Sequence, residues 1–418
     1  MKKSNNKTIY DALGRDPVHP FPARMAPGIA LDYLSRGKIG KRVLDPMMGS
    51  GTVLALARSQ GHKAIGVDLD PLAVLISKVW TCTVDEKKVA KTLVHVFDRA
   101  QVIYRSLSLR DAYPAKADRE TRQFIRYWFD AVSRRQLTSL AQAISGVRDE
   151  STRNVLWCGF SRLIITKQAG ASLAMDLSHS RPHRSYDVAP IKPFDHFRAS
   201  VSRTLENCIS GKKEKGPAPL IKHGDARKLQ IESDSIDLVL TSPPYLNAID
   251  YMRCSKFTLV WMGVQTAKIR EIRSESIGTE VGDYANSQGK FSKKTISRLR
   301  LGSKLSRRSN AVLSSFIRDM EGAIAEVARV LVPGGKAVYV VGENTVKGTF
   351  IPNAKIIVAI AGMAGLKLQK RTTRTLPPNR RYLPPPSNQR KNILLDGRMR
   401  REVILCFRKP KPRQKSRA

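Results

Sequence analysis

The sequence has few acidic residues, few aromatic residues and few cysteines. Its 418 residues include 35 Asp and Glu against 74 Lys and Arg, a formal net charge of +39, and aromatic residues make up 6%. The five cysteines are scattered without a Cys-x-x-Cys pair, which argues against a disulfide framework or zinc site and for reduced thiols in the cytoplasm. No apolar run approaches the ~18–20 residues of a membrane span, and the N-terminus lacks the apolar stretch of a secretion signal.

The excess of basic residues predicts a polyanionic partner, with nucleic acid as the leading candidate. Hydrophobic residues make up 41% of the chain, so a substantial core is expected and general disorder is excluded. Basic residues are concentrated after Lys367 and in residues 284–310, an acid-free stretch that is rich in Gly, Ser and Asn and predicts a loop. The loop either tracks DNA or is a solvated run of charge. Its candidate DNA contacts are Lys293, Lys294, Arg298 and Arg300.

Short apolar runs ending in an acidic or polar residue alternate with helical patterns. The runs are residues 42–45, 64–68, 220–225 and 236–242. This alternation predicts an α/β fold with a doubly wound, mostly parallel sheet of about seven strands. Residues 366–375 and 401–407 have no helix between them, which predicts an antiparallel hairpin at the C-terminal end of the sheet.

One connection is too long for a compact crossover. About 150 residues, mostly helical by pattern, separate the second strand from the third. We therefore predict an inserted helical subdomain at 82–211. The remaining divisions are 1–81 and 212–408, the two parts of the α/β domain, and a solvated basic tail at 409–418.

The helical insertion includes a polar, basic passage that is not helical. His179 and His183, four residues apart, suit metal ligands, but the neighbouring Arg181 and Arg184 would repel a cation. We predict that these four residues contact phosphate or a base, and we predict no metal site.

The segment after the first strand carries a cofactor-type pattern. The strand ends at Asp45, Gly49 and Gly51 allow a tight turn, and a helix begins near Thr52. Asp68 ends the next strand, where a carboxylate can accept hydrogen bonds from ribose hydroxyls. The same turn fits a nicotinamide or flavin site, or a purely structural role.

Thr241-Ser242-Pro243-Pro244-Tyr245 follows another apolar strand. Two prolines make the backbone rigid and leave carbonyl acceptors, Ser242 adds a hydroxyl, and Tyr245 adds an aromatic face. An amino group with two protons needs two acceptors, and a flat base needs a face for stacking. A Pro-Pro turn with a packing tyrosine is the structural alternative.

Together these segments resemble the S-adenosylmethionine-dependent amino methyltransferases of DNA, which methylate cytosine N4 or adenine N6. Residues 19–24 look like the family's N-terminal cofactor motif, 45–52 its methionine-binding loop, and 242–245 its catalytic [DNS]-P-P-[YFW] motif. Asp68 matches the ribose-binding acid, and Asp225 matches the acid near the cofactor adenine. The resemblance thus implies cofactor contacts by Phe21, Pro22, Asp45, Pro46, Gly49, Ser50, Gly51, Thr52, Asp68, Asp225 and Ala226.

The resemblance also implies a catalytic role for Ser242, Pro243, Pro244 and Tyr245. In this mechanism Ser242 Oγ and the Pro243 carbonyl accept the two N–H bonds of a flipped base, and Tyr245 replaces its lost stacking. Ser242 favours cytosine N4 over adenine N6. None of the cysteines follows a proline, which argues against cytosine-C5 chemistry.

The helical insertion is longer than the family minimum, and no separate target-recognition domain is evident. The stretch from residue 374 to 386, followed by residues 398–409, resembles the end of the family fold and adds Arg380 and Arg381 as DNA contacts. The predicted partners are DNA and, as a candidate, a cognate restriction endonuclease. The alternatives are an RNA amino methyltransferase and a nucleic-acid-binding protein on an inactive methyltransferase scaffold.

Overall fold

The computed structural model describes most of the chain. The described residues are 7–22, 24–167, 169–175, 177, 182–209, 214–244, 246, 250–279, 290–299, 301, 305–346, 349–376 and 401–412. The strands are β1 Arg42–Asp45, β2 Lys63–Asp68, β3 Ala174–Met175, β4 His183–Arg184, β5 Leu220–His223, β6 Ile236–Thr241, β7 Leu331–Gly342, β8 Asn344–Val346, β9 Thr349–Ile351, β10 Lys367–Thr375 and β11 Arg401–Arg408.

The helices begin and end as follows. They are α1 Ile9–Leu13, α2 Pro27–Leu34, α3 Thr52–Ser59, α4 Pro71–Thr81, α5 Glu86–Ser106, α6 Arg119–Trp128, α7 Ala131–Ser145, α8 Glu150–Ile164, α9 Pro193–Glu206, α10 Tyr251–Leu259, α11 Thr266–Glu275, α12 Lys290–Arg298, α13 Arg307–Val330 and α14 Asn353–Met363. None of the helices in the described ranges combines the length and apolarity that a membrane crossing requires.

The main sheet has seven strands in the order β10-β11-β7-β6-β1-β2-β5. The pairs β1/β6, β6/β7 and β2/β5 are parallel, and β11 is antiparallel to both β7 and β10. The five consecutive residues from Ala337 to Val341 in β7 are all buried, as expected for a strand covered on both faces. The predicted α/β class, the mostly parallel sheet and the C-terminal antiparallel hairpin are confirmed.

The chain divides into two compact units. The first contains the described residues of Met1–Ile39, Met48–His223 and Asp250–Arg273, and the second those of Gly40–Met47, Gly224–Ile249 and Ser274–Ala418. Helices α5 to α9 of the predicted insertion belong to the first unit together with β2 and β5. The boundaries at 82 and 211 remain a prediction about the organisation of the chain.

Five successive helices of the first unit, α4 to α8, begin at an aspartate. Asp70, Asp85, Asp118, Asp130 and Asp149 each accept a hydrogen bond from a backbone N–H of the first turn. A capping carboxylate pairs with an N–H that has no partner within the helix and complements the positive end of the helix dipole. Five of the few acidic residues of the chain therefore stabilise the N-termini of helices.

The core of the first unit is aromatic and aliphatic. Phe129 and Phe257 are almost fully buried, and Trp261 packs edge to face against Phe129 with a centroid distance of 5.1 Å. In the second unit, β7 packs with α13 and α14, whose buried faces include Ile317, Ile324 and Ile357.

The prediction of a loop at 284–310 is wrong for residues 290–298 and 307–310, which are helical. Residues 290–298 form α12, and α13 begins at Arg307, four residues earlier than the predicted helix start at 311. Ser306 caps α13 by accepting from the N–H of Ser309, and Ile296 of α12 is buried. The Gly, Ser and Asn content concealed these helix signals because tertiary burial of a few side chains outweighed local propensity.

Candidate active site

In the first unit, the glycine-rich turn after β1 has no room for side chains at two positions. Gly49 and Gly51 have φ angles of +49° and +81°, in the region that favours glycine. A Cβ on Gly49 would lie 3.0 Å from Phe21 Cε1, and one on Gly51 would lie 2.8 Å from Ser77 Oγ. The turn therefore presents backbone to a ligand, which fits the predicted approach of a cofactor.

Asp68, at the end of β2, is hydrogen-bonded to this turn. The Gly49 N–H donates to Asp68 Oδ2 at 2.8 Å, and the Asp70 N–H donates to Oδ1 at 2.9 Å. Burial raises the pKa of Asp68, and the two backbone hydrogen bonds act against that rise. Each carboxylate oxygen accepts more than one hydrogen bond, so capacity remains for ribose hydroxyls.

The predicted N-terminal cofactor motif packs beside the turn in the same unit. Phe21 and Pro22 are half-buried, and the Phe21 ring stacks on Tyr251 with a centroid distance of 5.5 Å. Arg24 Nε donates to Ser50 Oγ at 3.2 Å, and the hydroxyls of Ser50 and Thr52 lie 3.4 Å apart. The motif is thus tied to the turn through both an aromatic ring and a guanidinium.

His19 of this motif is a structural residue. Its Nε2 lies 2.8 Å from Ser161 Oγ, which lies 2.8 Å from Thr258 Oγ1. Burial lowers the pKa of His19 to about 3, so the imidazole is neutral near pH 7. This neutral, hydrogen-bonded histidine anchors residues 19–22 to helices α8 and α10.

In the second unit, a buried hydrogen bond joins the ends of β1 and β6. Thr241 Oγ1 donates to Asp45 Oδ1 at 2.7 Å, and the Met47 N–H donates to the same oxygen at 3.2 Å. Asp45 and Pro46 are buried. The acid that ends β1 is therefore bonded to the residue immediately before Ser242.

The hydroxyl of Ser242 has a defined orientation. Ser242 Oγ donates its proton to the carbonyl of Val340 in β7 at 3.1 Å. Because the proton is engaged there, the lone pairs of Oγ can serve only as acceptors toward a substrate. Pro243 is buried and Pro244 half-buried, and Tyr245 lies outside the described residues.

Asp225 is bound by an arginine. Arg227 contacts both carboxylate oxygens of Asp225, through Nε at 2.9 and 3.0 Å and through Nη2 at 2.7 Å, and its Nη1 contacts Asp319 at 2.9 Å. Burial lowers the pKa of Arg227, but the hydrogen bond and charge of the two aspartates outweigh it, so the net pKa is raised. The adjacent Ala226 is buried.

The predicted DNA contacts are placed on exposed surface where the structure describes them. Lys293, Lys294 and Arg298 are exposed on α12. His183 and Arg184 form β4, and the Arg184 guanidinium lies 5.3 Å from the centre of the Tyr127 ring. The residues outside the described part of the chain are His179, Arg181, Arg300, Arg380 and Arg381. Among the described residues, no group of three or more His, Cys, Asp or Glu side chains could hold a metal ion.

Sequence reasoning missed two features of these surroundings. Asp70 caps α4 and accepts a hydrogen bond from Ser255 Oγ at 2.5 Å, and burial raises its pKa to about 6. The Asp-Pro pair at 70–71 is a helix-start signal that locates the cap, although not its partner. The ion pair of Arg227 with Asp319 has no local signal, since the two residues are 92 positions apart.

Comparison with known proteins agrees with the motifs. No protein-family model matches the chain. It is 22% identical over 369 residues to the Type II methyltransferase M.MvaI of Kocuria varians, covering 81% of this chain and 79% of that protein. It is also 22% identical over 317 residues to the Type II methyltransferase M.MjaII of Methanocaldococcus jannaschii, covering 56% and 59%. The predicted resemblance is thereby confirmed at low identity.

A solved structure gives a weaker match. A SAM-dependent methyltransferase of Methanosarcina mazei aligns over 93% of this chain and 100% of its own, with 9% identity and a TM-score of 0.34.

Proposed function

We propose that this homologue of Type II methyltransferases is a DNA amino methyltransferase that uses S-adenosylmethionine. The hydrogen bond between Thr241 and Asp45 carries the proposal. Asp45 ends the strand that precedes the glycine-rich turn, and Thr241 ends the strand that precedes Ser-Pro-Pro-Tyr, so the bond joins, within the second unit, the two strand ends from which these motifs continue.

The residues of the first unit fit the cofactor. The side-chain-free backbone at Gly49 and Gly51 can approach a ligand closely, and Asp68 offers acceptors beside it. The acid is hydrogen-bonded to the turn itself, so both groups are held in one fixed arrangement. Asp225 is proposed as a further cofactor contact through lone pairs that its pairing with Arg227 leaves available.

The residues of the second unit can accept hydrogen bonds from an amino group that acts as the nucleophile. S-adenosylmethionine, when bound, supplies the methyl group. Ser242 Oγ donates its own proton to the Val340 carbonyl and accepts a hydrogen bond from one N–H of the substrate amine. The carbonyl of Pro243 accepts a hydrogen bond from the other N–H. Two acceptors in fixed positions favour a pyramidal nitrogen, which frees the lone pair from the base ring. Ser242 remains neutral throughout, so the proton leaves after methyl transfer.

The target base must leave the duplex to reach these acceptors. We propose that Tyr245 stacks on the flipped base, a role that follows from the sequence motif. Ser242, a neutral hydroxyl, favours cytosine N4 as the methylated position. The charge of +39 and the exposed Lys293, Lys294 and Arg298 supply contacts to the DNA backbone.

The test is methyl transfer from labelled S-adenosylmethionine to duplex DNA, followed by mass spectrometry of the hydrolysed nucleosides. N4-methylcytosine is the expected product. N6-methyladenine would keep the enzyme class and correct the base, whereas label in RNA alone would replace DNA as the substrate. Absence of any transfer, together with tight DNA binding, would favour the inactive scaffold.

A further inference from the structure

A small cavity in the first unit combines aromatic and basic side chains. It has a volume of about 190 Å³ and lies among residues of α6, α10 and α11. Pockets for complete small-molecule ligands are usually ~300–1,000 Å³, so this one suits a fragment such as a phosphate with part of its sugar.

The aromatic wall of the cavity is a packed cluster. The rings of Phe124, Trp128 and Phe257 contact one another with centroid distances of 5.0 to 6.4 Å. The cluster gives the cavity a rigid apolar side, against which a deoxyribose can pack.

The lining of the cavity also includes four basic side chains, those of Arg253, Lys256, Arg270 and Arg273. Arg253 and Arg273 share one carboxylate, Asp250, at 3.0 and 2.6 Å, and Arg270 pairs with Glu120. Lys256 adds a fourth cation. Among the residues that the structure describes, these four basic side chains form ion pairs with two carboxylates, so positive charge is in excess beside the cavity.

Lys256 is the least compensated of these cations. Its Nζ lies 4.2 Å from the centre of the Phe124 ring, and in the part of the chain that the structure describes it forms no ion pair. Burial lowers the pKa of Lys256, with Arg270 and Arg273 adding to the effect and Glu120 opposing it. An anion beside Nζ would relieve both the desolvation and the repulsion.

We propose that this cavity, defined by Phe124, Trp128, Lys256 and Phe257, binds a backbone phosphate of the DNA substrate, with Lys256 Nζ as the charged contact. The proposal rests on the proposed function for the identity of the ligand. It assigns a DNA contact to the helical part of the first unit.

The experiment measures affinity for a fluorescent duplex as a function of salt, without cofactor, for the parent and for Lys256→Gln, Lys256→Arg and Lys268→Gln. Loss of one phosphate contact should reduce the slope of log K against log salt by about 0.9. Between 50 and 200 mM salt, the parent should then lose about 3.5-fold more affinity than Lys256→Gln. Lys256→Arg should retain the parental slope. Lys268, an exposed lysine of α11 paired with Glu271, is the matched control and should leave the slope unchanged.

A parental slope in Lys256→Gln, with a parental melting temperature, would overturn the cavity assignment and leave the methyltransferase proposal intact. Equal flattening in Lys256→Gln and Lys268→Gln would also overturn it, since a general charge effect would then explain both. Inorganic phosphate that competes with the duplex in the parent but not in Lys256→Gln would support the assignment. Absence of DNA binding by every protein, the parent included, would count against the proposed function instead.

Discussion

Asp68 of the first unit and Asp225 of the second both lie at or just after the end of a β-strand, but their carboxylates have different hydrogen-bond partners. Asp68 ends β2 and is held by the N–H groups of Gly49 and Asp70. Asp225 follows β5 and is held by the guanidinium of Arg227, which also contacts Asp319. Backbone donors orient a carboxylate without neutralising it, whereas a guanidinium does both. This contrast supports our proposal that Asp68 binds the cofactor, and it leads us to expect a smaller contribution from Asp225, whose carboxylate is also paired with Arg227.

The strongest test of this contrast is Arg227→Met. The substitution leaves the partly buried carboxylate of Asp225 without its cation and leaves Asp319 with only the more distant Arg318, at 3.9 Å, so the free energy of unfolding should fall by about 3 kcal/mol. Arg270→Met is the matched control, because it breaks an exposed pair with Glu120 that should contribute less than about 1 kcal/mol. Denaturant titrations of both variants measure the difference, and equal losses would show that the Asp225 pair has no special structural role.

The pH dependence of the free energy of unfolding tests how strongly burial disfavours the ionised form of Asp70, which lies next to Asp68. Burial raises the pKa of Asp70 from 3.8 to about 6, so between these values the folded state holds a proton that the unfolded state releases. The contribution of Asp70 to the free energy of unfolding is therefore fully present below about pH 4 and declines as the pH rises to about 6. Above that pH it is constant, and the total decrease in the free energy of unfolding is about 3 kcal/mol.

Asp70→Asn should make the decline between pH 4 and 6 shallower while keeping the helix cap. Asp149→Asn serves as the control, since the hydrogen bond from Lys88 lowers the pKa of that capping acid and its contribution to stability therefore changes only below about pH 4. Denaturation at pH 4 and pH 7 distinguishes them. A parental pH profile in Asp70→Asn would mean that Asp70 does not titrate in this range.

Cofactor affinity compares the two acids directly. Asp68→Asn should weaken S-adenosylmethionine binding by about 1.5–3 kcal/mol, because an ionised acceptor is lost, and Asp225→Asn by less than about 1 kcal/mol. Isothermal titration calorimetry gives both values. If the order is reversed, the ion pair with Arg227 prepares Asp225 for the ligand and our interpretation of the contrast fails.

The smallest expected effect is on turnover in the second unit. Ser242→Ala removes one of two proposed acceptors and should slow methyl transfer by about 1 kcal/mol, or roughly five-fold, with cofactor affinity unchanged. Single-turnover rates with saturating cofactor measure the change. A loss of cofactor affinity in Ser242→Ala would place this hydroxyl with the cofactor rather than with the base.

Local chemistry made much of the molecule predictable from sequence. Apolar runs ending in Asp45, Asp68 and Thr241 specify strands, because each pattern is short, apolar and followed by turn residues. The backbone at Gly49 and Gly51 needs positive φ, a requirement that the residue type itself reveals. Aspartates before helical patterns locate the starts of α4 to α8 for the same local reason.

The tertiary structure alone decided which polar groups are partners. Thr241 and Asp45 are 196 residues apart, and Ser255 and Asp70 are 185 apart, so no local pattern specifies either hydrogen bond. The same holds for α12, where burial of Ile296 outweighs a composition typical of loops. The residue type determines which hydrogen bonds a side chain can donate or accept and how much apolar surface it can bury. A buried polar group without a partner destabilises the fold, and only the tertiary structure determines which residue becomes that partner.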